Sequence, residues 1–156
     1  MKPLLYTVVH RARILYWRLR RPVRIGVRVA VFNERGEVLL VRHTYTPGWF
    51  FPGGGADAGE TLPEAAAREL SEETGLTPRH PLALLGIYTF FKWGVSDHIA
   101  IYRGEVRGEP ALDPGEIAEA RWCALDALPE GSARSTLAAG ADLLARQASE
   151  IADAAG

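Results

Sequence analysis

The sequence has a single cysteine, Cys123, among its 156 residues, so no disulfide can form within the chain. Neither sign of charge is in excess, because 18 lysines and arginines face 19 aspartates and glutamates, a formal net charge of −1. This balance argues against a protein that binds nucleic acid through a generally basic surface. A chain without a disulfide framework suits a reducing compartment, and we expect a cytoplasmic protein.

Long apolar runs are also missing. No stretch reaches the length of a membrane-spanning helix, and the N-terminus lacks the apolar core and cleavage site of a signal peptide. Hydrophobic residues make up 47% and charged residues 24% of the chain, which is typical of one globular domain with its own core. We divide the chain into an N-terminal segment, residues 1–22, and one domain, residues 23–156.

The N-terminal segment has the pattern of a basic amphipathic helix, with several arginines between its apolar positions and Pro22 at its end. We favour packing of this helix on the domain or on a second copy of the chain, which would give a homodimer. Peripheral contact with anionic lipid is the alternative. The apolar positions at helical spacing are Leu5, Val8, Val9, Ala12, Leu15, Tyr16 and Leu19.

Residues 23–32 alternate between apolar and other side chains, which predicts a strand, and a turn at residues 33–36 leads to a hairpin partner at residues 37–42. Arg24 and Arg28 fall on one face of the first strand. They either bind a phosphorylated substrate or are solvated surface side chains, and both interpretations stay open. The remaining predicted elements are strands at residues 81–91, 96–106 and 119–124 and a helix at residues 132–154, which would pack through Leu137, Ala141, Leu144 and Ile151.

A glycine-rich loop and a short helix dominate the middle of the chain. Thr61 and Glu64 form a capping box and Gly75 suits a left-handed C-terminal residue, so the helix is predicted over residues 62–74. Glu69, Glu72 and Glu73 then share about a 100° sector of this helix, at the margin of its buried face.

This crowding of carboxylates is unfavourable for a plain helix. Like charges three and four residues apart repel, and Glu72 and Glu73 also lie near the negative end of the helix dipole. Arg68 is the one nearby compensating charge in the sequence. A bound cation would resolve the conflict, and ligands that offer only oxygen suit Mg²⁺ or Mn²⁺.

The same segment resembles the Nudix box, G-x5-E-x7-R-E-U-x-E-E-x-G-U, where U is a bulky aliphatic residue. The resemblance implies a Nudix fold of the α/β (α+β) class, a mixed β-sheet between α-helices. It also implies a hydrolase of phosphorus-containing anhydrides that cleaves a nucleoside diphosphate linked to another group with Mg²⁺ or Mn²⁺. The matching residues are Gly54, Glu60, Arg68, Glu69, Leu70, Glu72, Glu73, Gly75 and Leu76.

The resemblance also implies roles for individual residues. Glu69, Glu72, Glu73 and the backbone carbonyl of Gly53 would bind the metal. Arg68 would orient the carboxylates through its planar fork, and Glu60 would anchor that arginine or the loop from a second layer. A glutamate before an Arg-Trp pair acts as general base or additional ligand in several members. Glu116 resembles it, with Glu119 as the weaker alternative and a box glutamate as another candidate base.

Substrate contacts are predicted less sharply. Gly54 and Gly55 let the backbone approach a ligand closely. His43 and Tyr45 either contact a base or ribose or pack a turn. The substrate could be a nucleoside triphosphate, a dinucleoside polyphosphate or a nucleotide sugar, and no nucleic-acid partner is expected. The alternative function is a Nudix-fold module that binds a nucleotide for regulation and hydrolyses it weakly or not at all.

Overall fold

The structure is a computed structural model that describes Tyr16, residues 23–92 and residues 94–154. The predicted N-terminal helix, residues 1–22, lies outside the described residues apart from Tyr16, so its role stays a prediction. Within the described ranges, no helix is long and apolar enough to cross a membrane.

Five strands form one mixed sheet in the order β3-β4-β1-β2-β5. Strand β1 runs parallel to β4, and the other neighbouring pairs are antiparallel. This architecture confirms the predicted α+β class. The elements are β1 (Val23–Phe32), β2 (Val38–His43), α1 (Leu62–Thr74), β3 (Ala83–Lys92), β4 (Val95–Glu105), β5 (Ile117–Cys123) and α2 (Arg134–Ala154).

The sheet lies between the two helices because β1 is apolar on both faces over its second half. Val27, Val29 and Val31 pack in a core with Ala66 and Leu70 of α1. Ala30 and Phe32 point to the opposite face and pack in a second core with Leu143 of α2. Such two-sided burial is expected for a central strand covered by helices on both sides.

Helix α1 begins and ends where the sequence predicts. The Thr61 side chain accepts from the Glu64 N–H, and the Glu64 carboxylate accepts from the Thr61 N–H at 2.9 Å. At the other end Gly75 adopts a left-handed φ of 67°, and its N–H donates to the Ser71 carbonyl at 2.8 Å. These caps fix the register of the helix and therefore the direction of its carboxylates.

The predicted packing face of α2 is wrong. Leu137, Leu144 and Ile151 are 50%, 37% and 70% exposed, and Ala141 is exposed as well. The buried face instead combines small residues with Leu143, and at Gly140 an added Cβ would lie 2.8 Å from the Leu128 side chain, which precedes the helix. The buried positions of α2 are Ser135, Thr136, Ala139, Gly140 and Leu143.

The hairpin between β1 and β2 is shorter than predicted, since Phe32 and Val38 are their one strand-register pair. The neighbouring edge of β1 is taken by residues 52–55, here called the glycine segment. The N–H groups of Val27 and Val29 donate to the carbonyls of Gly54 and Pro52 at 2.9 and 2.8 Å. The glycine segment is thereby fixed beside the centre of the sheet.

Candidate active site

Gly53 connects the glycine segment to the carboxylates of α1. Its N–H donates to Glu73 Oε2 at 2.9 Å. Its φ is 143°, and a Cβ at this position would lie 2.2 Å from the Val27 carbonyl oxygen. Because both the backbone conformation and the space exclude a side chain, glycine is required here.

Gly54 makes a different contact. A Cβ added to it would lie 2.6 Å from the carboxylate of Glu69. The Glu69 side chain therefore rests directly on the backbone of the glycine segment. The predicted close approach at Gly54 is made by a carboxylate of the chain itself.

Arg68 is the centre of a hydrogen-bond network that joins the helix to the loop before it. Its Nε and Nη2 bind the two oxygens of Glu60 at 2.8 and 2.9 Å, a bidentate contact. Its Nη1 lies 3.0 Å from Glu69 Oε1 and 3.0 Å from Glu72 Oε2, and Nη2 also donates to the Gly55 carbonyl at 3.0 Å. One guanidinium thus holds the glutamates at defined positions, as the planar fork of arginine allows.

These contacts change the acidity of the groups involved. The hydrogen bonds from Arg68 lower the pKa of Glu60 to about 2, and the Glu60 contact is the main reason that the pKa of Arg68 is raised. Burial raises the pKa of Glu69, although Arg68 opposes that change. Glu60 is therefore a firmly ionised anchor, whereas Glu69 is ionised less readily than an exposed glutamate.

Glu73 is the most deeply buried carboxylate of this cluster, only 2% exposed. Burial raises its pKa to about 7, against the opposing effects of the Gly53 N–H and Arg28. The side chain of His43 is next to it, with Nδ1 3.6 Å from Glu73 Oε1. At neutral pH Glu73 is therefore only partly ionised, because the positive charge around it does not offset its burial.

Most of the chain matches the model of one protein family. The family model described as the NUDIX domain matches residues 22–146. The chain belongs to the Nudix family. The nine residues of the predicted Nudix box therefore lie in the family's own domain, and Glu69, Glu73, Arg68, Gly53 and Gly54 contact one another as described above.

Similar proteins carry hydrolase names. The chain is 37% identical over 105 residues to a Bacillus subtilis protein named putative 8-oxo-dGTP diphosphatase, covering 67% of this chain and 68% of that protein. A Shewanella protein named RNA pyrophosphohydrolase is 39% identical over 70 residues, which span 45% of this chain and only 40% of that relative. The crystal structure of a MutT NUDIX hydrolase from Burkholderia pseudomallei superposes with a TM-score of 0.70 at 28% identity, over 77% of this chain and 97% of that one.

The donor set of this Nudix box fits a hard divalent cation such as Mg²⁺ or Mn²⁺. A buried carboxylate with a raised pKa is a group that a cation would stabilise, and all side-chain donors nearby on α1 are oxygens. Among the described residues, no three His, Cys, Asp or Glu side chains converge to form a metal cage. Oxygens from the backbone, water or a phosphate would have to complete the coordination shell.

Arg28 is brought to this centre, and Arg24 is not. Arg28 Nη1 is buried without a hydrogen-bond partner, and the guanidinium carbon lies 5.6 Å from the Phe50 ring centroid. Burial lowers the pKa of Arg28, while Glu73 and Tyr45 oppose that change. Arg28 is therefore partly buried beside Glu73, whereas Arg24 is exposed, and substrate contact by either arginine stays a prediction.

His43 is buried beside Glu73, and its predicted contact with a base or ribose stays a prediction. It is 6% exposed, its ring lies 5.1 and 5.5 Å from those of Tyr45 and Phe50, and neither of its nitrogens has a hydrogen-bond partner. Burial and Arg28 lower its pKa to about 4, so it is neutral at neutral pH. A neutral imidazole against Glu73 supports that carboxylate without adding charge.

Glu116 and Glu119 occupy different environments. Glu119 lies in β5 and pairs with Arg42 at 2.7 Å and with Arg121 at 3.2 Å. Glu116 is exposed in the turn before β5, its backbone carbonyl accepts from the Thr44 N–H, and its charge contributes to the raised pKa values of Glu73 and Tyr45. Of the two, Glu116 is the carboxylate that faces the buried glutamate.

The sequence analysis missed Phe50 and Asp97. Phe50 lies under Arg28, and Asp97 of β4 lines a cavity together with Arg24, Arg28 and the glycine segment. Asp97 could have been noticed as an acidic residue near the start of a predicted strand. Its proximity to Arg24 depends on the parallel pairing of β1 with β4, which residue patterns do not reveal.

Proposed function

We propose that this Nudix protein hydrolyses the pyrophosphate bond of a nucleoside diphosphate linked to another group, with Mg²⁺ or Mn²⁺ as cofactor. The observation that carries the proposal is the buried Glu73 carboxylate, which is held by the Gly53 N–H and has a pKa raised to about 7. Burying an acid in this way opposes stability and is common at functional sites. The diphosphatase and pyrophosphohydrolase names of the relatives support the reaction class.

The cation would be bound by Glu69, Glu72, Glu73 and the Gly53 carbonyl. When bound, it would neutralise phosphate oxygens and lower the pKa of a coordinated water. Arg68 keeps Glu69 and Glu72 in place by sharing one nitrogen between them, so these residues are positioned before a ligand arrives. This pre-organisation reduces the cost of assembling the site.

Glu60 acts on the metal-binding carboxylates through Arg68. Its bidentate pair with Arg68 fixes the arginine, and the N–H of Asp57 also donates to it at 3.0 Å, which ties the loop to the helix. Arg28 and the backbone of the glycine segment at Gly54 and Gly55 would contact the anionic substrate. Arg24, at the mouth of the same cavity, would add positive charge there.

Glu116 is the proposed general base. It is exposed and close enough to influence the charge state of Glu73, so it can accept a proton from a water beside the buried glutamate. Replacing Glu116 with Gln should lower kcat by about 10²- to 10⁴-fold. Glu119→Gln is the matched control, because Glu119 forms ion pairs with Arg42 and Arg121 and should be dispensable for catalysis. A fully active Glu116→Gln variant would return the role to a glutamate of the box.

The proposed function is tested by assaying a panel of substrates with Mg²⁺ and with Mn²⁺ and measuring the released monophosphate. The panel should contain nucleoside triphosphates, including 8-oxo-dGTP, dinucleoside polyphosphates and nucleotide sugars. We expect metal-dependent hydrolysis of at least one class, abolished in Glu73→Gln. Nucleotide binding without any hydrolysis would contradict the proposal and would favour a regulatory Nudix-fold module.

A further inference from the structure

A hollow in the sheet beside the glycine segment has no assigned function. It runs along residues 24–28 of β1, where Gly26 contributes no side chain. The cavity has a volume of about 200 Å³. Complete ligand pockets usually measure about 300–1,000 Å³, so this hollow is large enough for part of a nucleotide and too small for all of it.

The hollow and the Nudix carboxylates share one wall. Gly55 forms an antiparallel bridge with Gly26 and lines the hollow, and its carbonyl accepts a hydrogen bond from Arg68 on the other side. Gly54 likewise lines the hollow while it supports the Glu69 carboxylate. A substrate whose diphosphate lies at Glu69 could therefore place its other end in the hollow.

Asp97 sets the chemical character of the hollow. It pairs with Arg24 in the parallel register of β1 and β4, so both side chains lie on the same face of the sheet. Within the described part of the chain, however, the Asp97 carboxylate forms neither a hydrogen bond nor an ion pair. A carboxylate accepts hydrogen bonds and repels phosphate, so the part of the hollow beside Asp97 suits the neutral end of a nucleotide, while Arg24 and Arg28 in the same lining suit its phosphates.

We propose that Asp97 is a specificity-determining residue that accepts two adjacent hydrogen-bond donors from the nucleoside end of the substrate. This inference rests on the proposed function. Two parts of a nucleoside present such a pair: the N1–H and N2 amino group of guanine, and the 2′- and 3′-hydroxyls of ribose. Uracil, cytosine and adenine do not place two donors side by side on their pairing edges, so a carboxylate disfavours them.

The test compares GTP, ITP and dGTP as substrates of the wild type and of Asp97→Asn. ITP lacks the guanine amino group and dGTP lacks the 2′-hydroxyl. If the guanine edge is recognised, the wild type should prefer GTP to ITP by about 5- to 150-fold in kcat/KM. If the ribose is recognised, the wild type should prefer GTP to dGTP instead. Asp97→Asn should bring the affected ratio close to one, because the amide replaces one accepting oxygen with an N–H₂ group that cannot accept the second donor.

Asp126→Asn is the matched control, since Asp126 is exposed in a turn and does not line the hollow. A wild type that treats all three nucleotides alike would overturn the inference. So would an Asp97→Asn variant that keeps the ratio or loses activity equally on every substrate. Either result would leave the proposed hydrolysis intact.

Equilibrium binding separates the two hypotheses. GMP, IMP and dGMP are titrated into both proteins by calorimetry without hydrolysis. Discrimination in the wild type that Asp97→Asn loses would support the inference even if no nucleotide were hydrolysed, in which case only the proposed function would fail. Equal affinities for the three monophosphates in both proteins would overturn the inference.

Discussion

Replacing Glu73 with Gln should stabilise the metal-free protein while removing its activity. Gln has the same length, so its amide oxygen can still accept from the Gly53 N–H that binds Glu73 Oε2 at 2.9 Å. Its amide N–H₂ can also donate to His43 Nδ1, which has no partner and lies 3.6 Å from Glu73 Oε1. The substitution therefore removes a buried negative charge, whose burial lowers the stability of the folded state.

The size of the effect follows from proton linkage. The pKa of Glu73 rises from an ordinary 4.5 to about 7 on folding, so the folded state binds a proton more tightly than the unfolded chain. This contribution to stability is complete below about pH 4.5 and is lost as the pH rises through about 7. At about 1.4 kcal/mol for each pH unit, the loss amounts to about 3 kcal/mol.

The assay is urea denaturation at about pH 5 and about pH 8 in the presence of a chelator. Between these two pH values, the Glu73-dependent part of the free energy of unfolding should fall by about 2.5 kcal/mol in the wild type and not in Glu73→Gln. At about pH 8 the variant should therefore be the more stable protein. The reasoning is refuted if Glu73→Gln loses as much stability as the wild type between the two pH values, or is less stable at about pH 8.

Four further substitutions test the surrounding structure. Arg68→Lys should lower kcat at least about 10-fold with little change in melting temperature, because lysine cannot reproduce the bidentate contact with Glu60; unchanged kinetics would contradict the positioning role. The lowered pKa of Glu60 stabilises the fold above about pH 4.5, and this stability is lost as the pH falls toward about 2. Glu60→Gln should therefore lose less stability than the wild type between those pH values. Equal loss of stability on acidification would contradict the contribution of the Glu60–Arg68 pair. Leu143→Ala should lower the free energy of unfolding by about 2–5 kcal/mol, because Leu143 is buried. Leu144→Ala should lower it by less than about 1 kcal/mol, because Leu144 is 37% exposed. The reverse order in urea denaturation would mean that α2 packs through its other face.

The features that depend on local chemistry were predicted well. The bounds of α1 follow from Thr61, Glu64 and Gly75, whose capping interactions are set by residues a few positions apart. The convergence of the carboxylates with Arg68 follows from helical periodicity, because that periodicity alone places residues 68, 69, 72 and 73 close together. Family membership followed from the same residues.

The features that depend on distant segments were not predicted. The buried face of α2 includes Gly140, which lies against Leu128, and Leu143, and these contacts with distant residues are not visible in the helical pattern. The burial of Arg28 depends on Phe50, more than 20 residues away in sequence. Asp97 gains its importance from a parallel partner strand, which hydrophobic patterns do not identify.

Calorimetric titration of Mn²⁺ into the wild type and Glu73→Gln, with and without a non-hydrolysable nucleotide, tests the central claim directly. The account predicts that the wild type binds the cation, more tightly when the nucleotide is present, and that Glu73→Gln binds it much more weakly. Equal binding by both proteins, or no binding by the wild type under either condition, would contradict the claim that the glutamates of α1 hold a divalent cation.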